Sequence, residues 1–194
     1  MPHSDSDRLR RAIDRCASRA IHWSGVVYRS ATPRYANKDD VLTSLGTKSA
    51  GARWNPPGSF PTIYASLDPH TALDEVLAHF RHYGFPIESA MPRVIMSVRV
   101  SIARVLDLTD HRTRAQLRVS ARRMCGEPWR EEQAAGREAL TQALGRLAYE
   151  LGWEALLAPS AARRGGVNLI LFPANLSCET VLEIVNVDAL PEQA

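Results

Sequence analysis

The spacing of apolar residues predicts three helices. Over residues 6–20, apolar side chains recur every three or four positions and arginines occupy the other face, which is typical of an amphipathic helix. A second helix is predicted over residues 68–82, because Asp68-Pro69 has the residue types of an N-cap and a first turn. Its core stripe is predicted to be Leu73, Val76, Leu77 and Phe80. Residues 131–151 carry the longest stripe and predict a single helix ended by Gly152.

Shorter apolar runs predict six strands. Residues 93–101 alternate apolar and polar side chains, which is typical of a half-buried strand. Gly25 interrupts the first helical pattern, and a strand is predicted to begin directly after it. The remaining strands are predicted over residues 26–28, 63–65, 155–158, 168–172 and 181–187. Residues 30–61 are rich in Pro, Gly, Ser, Asn and Asp, and a connection of this length is more often functional than idle.

The order of these elements predicts the fold class. Strands and helices are mixed without a regular βαβ alternation, so we expect an α+β fold with a mixed, mainly antiparallel sheet and flanking helices. No linker or repeat divides the chain into two cores, which predicts a single domain. Within it we expect residues 1–24 to form an N-terminal helical extension and residues 25–194 to form the domain itself.

Composition excludes several classes of protein. The chain has 194 residues, of which 45% are hydrophobic and 23% charged, so it is not of a disordered type. No apolar run approaches the ~20 residues of a membrane span, and the first residues lack the apolar stretch of a signal peptide. Cys16, Cys125 and Cys178 are scattered, without the spacing of a disulfide framework or a zinc site. We therefore expect a cytoplasmic protein without a metal and without contact with a membrane.

The basic residues are almost all arginine. Lys38 and Lys48 are the only lysines among 24 basic residues, which leaves 22 arginines, while the net charge is only +3. Either codon usage in a GC-rich genome produces this bias, or some arginines serve as forks for phosphate or carboxylate groups. The arginine-rich residues 112–123 have almost no interleaved aromatic side chains, so they lack a stacking platform for single-stranded nucleic acid.

Several familiar catalytic signatures are absent from the sequence. It contains no GxxxxGK[ST] phosphate loop, no GxGxxG after a strand, no HExxH and no GxSxG. The six histidines show no metal-ligand spacing with cysteine. Any chemistry must therefore come from less regular segments.

Two of these segments present an arginine. Arg29 follows the predicted strand 26–28, where it either offers a bidentate fork to an anion or forms a salt bridge at the rim of the sheet. Arg53 lies between Gly51 and a Pro-Pro-Gly turn that would hold it in place, and a fixed arginine loses less entropy on binding. The alternative is a tight surface loop with a buried Trp54.

Three further side chains are candidates, two at strand ends and one on the second predicted helix. Tyr64 offers an aromatic face and a hydroxyl at a strand end. Glu75 lies roughly 150° around its helix from the apolar stripe, which by itself favours a solvated carboxylate, unless a cleft lies on the side of Ala72. Ser160 follows a predicted buried strand and precedes a glycine pair, so it forms either the polar rim of a pocket or an exposed turn.

In this order, the segments resemble the RES family, which is named for an arginine, a glutamate and a serine. The matching residues are Tyr28-Arg29, the Gly51-Ala52-Arg53-Trp54-Asn55 loop, Tyr64-Ala65-Ser66, Ala72-Leu73-Asp74-Glu75, Pro159-Ser160 and Asn168. The similarity runs from about residue 27 to residue 190, and Ala52 stands where many relatives are expected to have glycine. The resemblance implies a fold like that of ADP-ribosyltransferases and a role as the toxin of a type II toxin–antitoxin pair.

The resemblance also implies an activity and partners. Such toxins consume NAD as a substrate, by hydrolysis, by phosphorolysis or by ADP-ribosylating a protein, and no cofactor beyond NAD is expected. The expected partner is an Xre-like antitoxin with a helix-turn-helix part and a segment that blocks the cleft. We therefore expect a hetero-oligomer that meets DNA only through the antitoxin.

Roles for individual residues follow from the same resemblance. Glu75 would stabilise the positive charge that develops on the ribose as nicotinamide leaves. Arg29 and Arg53 would clamp the pyrophosphate, Tyr64 would stack on or orient the nicotinamide end, and Ser160 would bind ribose or phosphate. These five are the expected catalytic residues, and the expected NAD-binding residues are Tyr28, Arg29, Arg53, Tyr64, Ser160 and Asn168.

Two alternatives remain at this point. One is a nucleic-acid-binding or RNA-cleaving module, suggested by the arginine excess. The other is a RES-like protein that has lost its activity and acts only through partners.

Overall fold

The computed structural model of the protein describes residues 1–43 and 45–185. Within them, six strands form one sheet, in the order β1-β2-β5-β4-β3-β6. Their bounds are Ile21–Ala31 (β1), Ile63–Ser66 (β2), Val94–Asp107 (β3), Ala155–Pro159 (β4), Val167–Leu171 (β5) and Val181–Val185 (β6). An additional pairing of β1 with β3 closes the sheet into a barrel. The β3–β4 pair is parallel and the other pairs are antiparallel, which confirms the prediction of a mixed, mainly antiparallel sheet.

Helices surround this barrel. Their bounds are Ser6–Arg15 (α1), Lys38–Val41 (α2), Leu45–Ala50 (α3), Pro69–His82 (α4), His111–Leu117 (α5), Ala121–Gly126 (α6), Trp129–Ala134 (α7) and Leu140–Glu150 (α8). Short 3-10 turns occupy Cys16–Arg19, Pro33–Tyr35, Ile87–Ala90 and Pro173–Asn175. The predicted long connection after β1 thus contains α2 and α3.

Strand alternation divides the apolar side chains between two cores. One face of the sheet contributes to a cluster that includes Val27, Val98 and Leu157. The other face packs beneath the helices, where Leu156 and Phe172 belong to the same cluster as Leu9 of α1. Because one sheet carries both cores, the described chain is a single domain.

The first strand begins earlier than predicted. The strand does not begin after Gly25, because β1 starts at Ile21 and pairs with β3 through Gly25. The expected boundary between residues 24 and 25 therefore falls inside a strand, and Leu9 and Ile13 of the preceding helix are fully buried in the helical core. At the other end, β6 begins at Val181 as predicted, and residues 186 and 187 lie outside the described part of the chain.

The predicted helix over residues 131–151 is two helices, so that prediction was wrong in its extent. Gly136 adopts a positive φ of 71° after α7, a conformation that favours glycine. A new helix then starts because the Glu127 carboxylate accepts the backbone N–H groups of Leu140 (2.6 Å) and Thr141 (2.8 Å). Gly152, with φ of 74°, follows the end of α8 as predicted.

Helix α4 starts where the sequence predicts but buries a different side. Asp68 is its N-cap and accepts a hydrogen bond from the Thr71 backbone N–H at 2.9 Å. The buried residues of this helix are Thr71 and Ala72, whereas the predicted stripe is only half-buried. Part of that stripe is covered by the chain that follows the helix, since Phe80 meets the ring of Phe85. Glu75 follows Thr71 and Ala72 by four and three residues, so it lies on the buried side of α4.

Candidate functional site

Glu75 is held by hydrogen bonds from two other parts of the chain. Its Oε1 accepts the Ser160 hydroxyl at 2.7 Å and the Asn168 amide N–H at 2.6 Å. In residues 1–43 and 45–185 no hydrogen bond reaches its second oxygen, Oε2. The expectation of a solvated carboxylate was therefore wrong. The side chain has a fixed orientation and one oxygen available to accept a further hydrogen bond.

A buried serine sets the orientation of the Asn168 amide. Ser66 on β2 lies directly opposite Asn168 on β5 and donates its hydroxyl proton to Asn168 Oδ1 at 2.7 Å. With its oxygen engaged in this way, the amide presents its NH₂ group to Glu75. The sequence analysis gave Ser66 no role. Its period-2 spacing from Tyr64, which places both on one face of β2, was the available signal.

The loop after β4 fixes the Ser160 hydroxyl. Its Oγ accepts the backbone N–H groups of Ala162 (3.1 Å) and Arg163 (3.0 Å), so its own proton is directed to Glu75. Ser160 is 7% exposed, so the interpretation as an exposed turn was wrong. The loop sits tightly on α4, because a Cβ on Gly166 would lie 2.5 Å from the Thr71 Oγ1.

Arg53 lies beside Glu75 without a direct ion pair. Its Nη1 donates to the carbonyl oxygens of Met124 (2.9 Å) and Glu127 (3.3 Å). Burial lowers the pKa of Arg53, while the nearby charge of Glu75 opposes that shift, so the two side chains act on each other electrostatically. Glu127, which the sequence analysis did not single out, supports this arrangement because its carboxylate also anchors α8.

The Tyr64 hydroxyl holds the loop that carries Arg53. It accepts the Trp54 backbone N–H at 3.0 Å and donates to Asn55 Oδ1 at 2.9 Å. Burial raises the pKa of Tyr64, so the phenol stays protonated. Trp54 is buried, as the alternative of a tight surface loop with a buried tryptophan predicted. The Tyr64 hydroxyl is thus committed within the protein, and its ring is what remains for a ligand.

Arg29 lies on β1, and in the described chain no side-chain hydrogen bond or ion pair joins it to these residues. Tyr28 pairs with Ser66, which is the one residue pair recorded between β1 and β2 in the described chain. Arg29 follows it, opposite Met96 of β3, and strand alternation turns its side chain to the other face from Tyr28. Its Nη1 is buried and has no hydrogen-bond partner among the described residues, so a rim salt bridge was the wrong interpretation.

Arg29 keeps its positive charge although its guanidinium is buried. Burial lowers the pKa of Arg29 to about 10, so the guanidinium is still charged at neutral pH. A buried positive charge without a counter-charge is unfavourable until an anion binds. The structure therefore brings Arg53, Glu75, Ser160 and Asn168 together near Tyr64 of β2. It places Arg29 on the neighbouring strand β1, with a buried Nη1 that has no hydrogen-bond partner among the described residues.

Other kinds of site find no support in the part of the chain that the structure describes. No group of three or more His, Cys, Asp or Glu residues there is arranged to hold a metal ion. None of the described helices is both long and apolar enough to cross a lipid bilayer.

Comparison with known proteins identifies the family. The model of the RES domain matches residues 26–191. The chain belongs to the RES domain family. The resemblance to this family is thereby confirmed, since the match covers most of the chain.

The chain is also similar to curated proteins and to a solved structure. Over 153 residues the chain is 28% identical to proteins named NAD(+) phosphorylase MbcT from Mycobacterium bovis and Mycobacterium tuberculosis, covering 78% of this chain and 74% of the relative. Its fold matches a chain in the crystal structure of the M. tuberculosis MbcT–MbcA toxin–antitoxin complex, with a TM-score of 0.71 at 24% identity. That match covers 92% of this chain and 89% of the other.

Proposed function

We propose that this RES-domain protein is an enzyme that consumes NAD by cleaving the bond between nicotinamide and ribose, and that it serves as the toxin of a toxin–antitoxin pair. The observation that carries the proposal is the arrangement of Glu75, whose Oε1 is held by Ser160 and Asn168 while Arg53 lies alongside. The relatives named NAD(+) phosphorylase support the same assignment.

The carboxylate suits the charge that develops in this reaction. As the bond from the ribose C1′ to the nicotinamide nitrogen breaks, its electron pair leaves with nicotinamide and C1′ becomes oxocarbenium-like. A fixed negative charge near the ribose stabilises that state, because it is already oriented before the reaction begins. The Oε2 atom of Glu75 is free to accept a ribose hydroxyl. Nicotinamide departs as a neutral base, so the site needs no strong general acid.

The remaining residues would bind the dinucleotide. Arg53 would offer a guanidinium to the pyrophosphate. Arg29 is proposed for the same role on the basis of its unpartnered Nη1, although strand alternation turns its side chain to the face of β1 opposite to Tyr28. The ring of Tyr64, rather than its hydroxyl, would meet the nicotinamide end. Tyr28, Ser160 and Asn168 would complete the NAD site. No metal and no cofactor other than NAD as substrate enters this proposal.

Phosphate is the favoured acceptor of the ADP-ribose group, because the curated relatives are named phosphorylases. A phosphate oxygen would then form the new bond to C1′ as nicotinamide leaves. Water and a protein side chain are the competing acceptors and would make the protein a glycohydrolase or an ADP-ribosyltransferase. The proposed partner is an Xre-like antitoxin that covers the cleft, as the solved toxin–antitoxin relative suggests, with DNA reached only through it and both proteins acting in the cytoplasm.

Product analysis tests this proposal. Purified protein is incubated with NAD, with and without inorganic phosphate, and the products are identified by NMR and mass spectrometry. We expect nicotinamide and a phosphorylated ADP-ribose when phosphate is present. Free ADP-ribose or a labelled protein would identify the other acceptors. No release of nicotinamide under any of these conditions would overturn the proposal, and binding of random RNA with a steep salt dependence would favour the nucleic-acid alternative.

A further inference from the structure

Arg130 is an arginine without a counter-charge at the start of α7. Its guanidinium carbon lies 4.3 Å from the centre of the Trp129 ring and 6.0 Å from that of Tyr83. Its Nε is buried without a hydrogen-bond partner among the described residues. No carboxylate lies within ion-pair distance of Arg130 in that part of the chain. The aromatic rings therefore orient a cation whose hydrogen-bonding capacity is only partly used.

A helical turn connects Arg130 to the proposed catalytic carboxylate. The Nη2 of Arg130 lies 3.4 Å from Nδ1 of His79, and His79 follows Glu75 by four residues on α4. Residues spaced by four share one face of a helix, with Cβ atoms about 6 Å apart. Arg130 therefore lies on the same side of α4 as Glu75, about one turn further along.

Arg53 lies near the start of α7, because its Nη1 donates to the carbonyl oxygen of Glu127, three residues before Arg130, at 3.3 Å. The positive charge of Arg130 is one of the causes that lower the pKa of Arg53, although burial is the larger cause. Two arginines that repel each other, neither bound to a carboxylate in the described chain, form an environment that an anion would stabilise. Phosphate suits it, because the planar fork of arginine matches phosphate oxygens in pairs and the proposed substrates carry phosphate groups.

His79 is suited to hold Arg130 in place as a neutral hydrogen-bond acceptor, and a neutral ring adds no positive charge of its own beside the anion. Burial, and secondly the charge of Arg130, lower the pKa of His79, so the ring is neutral at pH 7. A neutral ring whose Nδ1 faces Arg130 accepts there and carries its proton on Nε2.

We propose that Arg130 is a further substrate-binding residue, which together with Arg53 holds a phosphate group one helical turn from Glu75. This inference rests on the proposed NAD-cleaving function and deepens it. The phosphate belongs either to the pyrophosphate of NAD or to the inorganic phosphate that accepts the ADP-ribose group. Both sources present the same chemistry to the two guanidinium groups.

Binding measurements test the site without requiring turnover. Arg130→Met removes the charge and keeps an unbranched stem against Trp129, and Arg122→Met makes the same change at an exposed arginine of α6. Titrations with inorganic phosphate and with pyrophosphate are followed by calorimetry and by ³¹P NMR. Loss of a charge-assisted hydrogen bond predicts binding weaker by about tenfold or more in Arg130→Met and unchanged in Arg122→Met. Equal affinities of Arg130→Met and wild type for both anions would overturn the proposal.

Steady-state kinetics distinguish the two sources of phosphate. A raised KM for NAD with an unchanged KM for phosphate would place Arg130 at the pyrophosphate, and the reverse would place it at the acceptor. Unchanged values of both would contradict the proposal. If Arg130→Met does not fold, Arg130→Lys decides, because it keeps the charge but loses the fork; anion affinities equal to those of wild type would then exclude the site.

The outcomes also separate this inference from the proposed function. Normal release of nicotinamide together with anion binding that is insensitive to Arg130 would refute the inference alone. Anion binding that depends on Arg130, in a protein that never releases nicotinamide, would refute the proposed function instead.

Discussion

The Ser66 hydroxyl acts on Glu75 through Asn168, although Ser66 and Glu75 share no hydrogen bond in the described chain. Ser66 donates to the amide oxygen of Asn168 at 2.7 Å, and the amide nitrogen donates to Glu75 at 2.6 Å. The relay begins at a serine that is 4% exposed. The orientation of the Glu75 carboxylate therefore depends partly on a buried residue of the sheet.

Replacing Glu75 should separate binding from chemistry. Glu75→Gln keeps the shape of the side chain but removes its negative charge, so we expect NAD to bind with little change and nicotinamide release to fall by about a hundredfold or more. Calorimetry gives the binding, and NMR gives the release. Asp74→Asn, which changes a neighbouring acid paired with Arg163 (2.8 Å), is the matched control and should retain activity. A turnover of Glu75→Gln equal to wild type would refute this role.

Loss of the Ser66 hydroxyl should impair positioning. In Ser66→Ala the amide of Asn168 loses the donor that orients it, so we expect kcat to fall about tenfold with a smaller change in KM. We also expect a loss of about 1–3 kcal/mol in the free energy of unfolding, because a buried acceptor is left unsatisfied. Kinetics and urea unfolding measure the two effects. Ser24→Ala, at an exposed position of β1, serves as the control. A fall in stability with an unchanged kcat would assign Ser66 a structural role only.

The contact between Gly145 and the Arg53 loop should not tolerate a side chain. A Cβ on Gly145 of α8 would overlap the carbonyl oxygen of Trp54, which is backbone and has little room to move. We expect Gly145→Ala to lower the free energy of unfolding by about 1–3 kcal/mol or more and to raise the KM for NAD, because Arg53 is displaced. Gly126→Ala is the control, since a Cβ there meets nothing within 4 Å. Equal thermal midpoints for the two variants would contradict the prediction.

The N-cap of α4 should contribute stability that depends on pH. The hydrogen bond from the Thr71 side chain, more than any other cause, lowers the pKa of Asp68 below its ordinary value of 3.8. A lowered folded-state pKa stabilises the fold above the unfolded-state pKa, and this contribution is lost as the pH falls through the folded value. Asp68→Ala should therefore cost about 1 kcal/mol at pH 7 and less near pH 3. Urea unfolding at both values measures the difference, and a cost that does not change with pH would contradict it.

Local signals predicted the elements well, and nonlocal contacts explain the errors. Asp68 marks the start of α4 through a hydrogen bond three residues away, which the sequence reveals. The start of α8 depends on Glu127, thirteen residues before Leu140, and no periodicity within the helix reports that contact. The prediction of a single helix therefore extended the apolar periodicity across a break, after which the new helix is started by a distant carboxylate.

The site itself was predicted in composition but not in arrangement. The order of the motifs identified Glu75, Ser160 and Asn168, yet helical spacing placed Glu75 in solvent because the apolar stripe of α4 was taken as its buried side. Phe80 of that stripe instead meets Phe85, from the chain that follows the helix. Which side of an amphipathic helix meets a sheet is a tertiary property, and it decides whether a carboxylate is solvated or held.

The separation of Glu75 from its two donors has a consequence for synthesis in the cell. Ser160 and Asn168 follow Glu75 by 85 and 93 residues, so the hydrogen bonds that orient the carboxylate form only when the last third of the polypeptide has emerged from the ribosome. Nascent chains and proteolytic fragments that end before Ser160 lack both donors. Incomplete copies would consequently lack the oriented carboxylate on which the proposed activity depends.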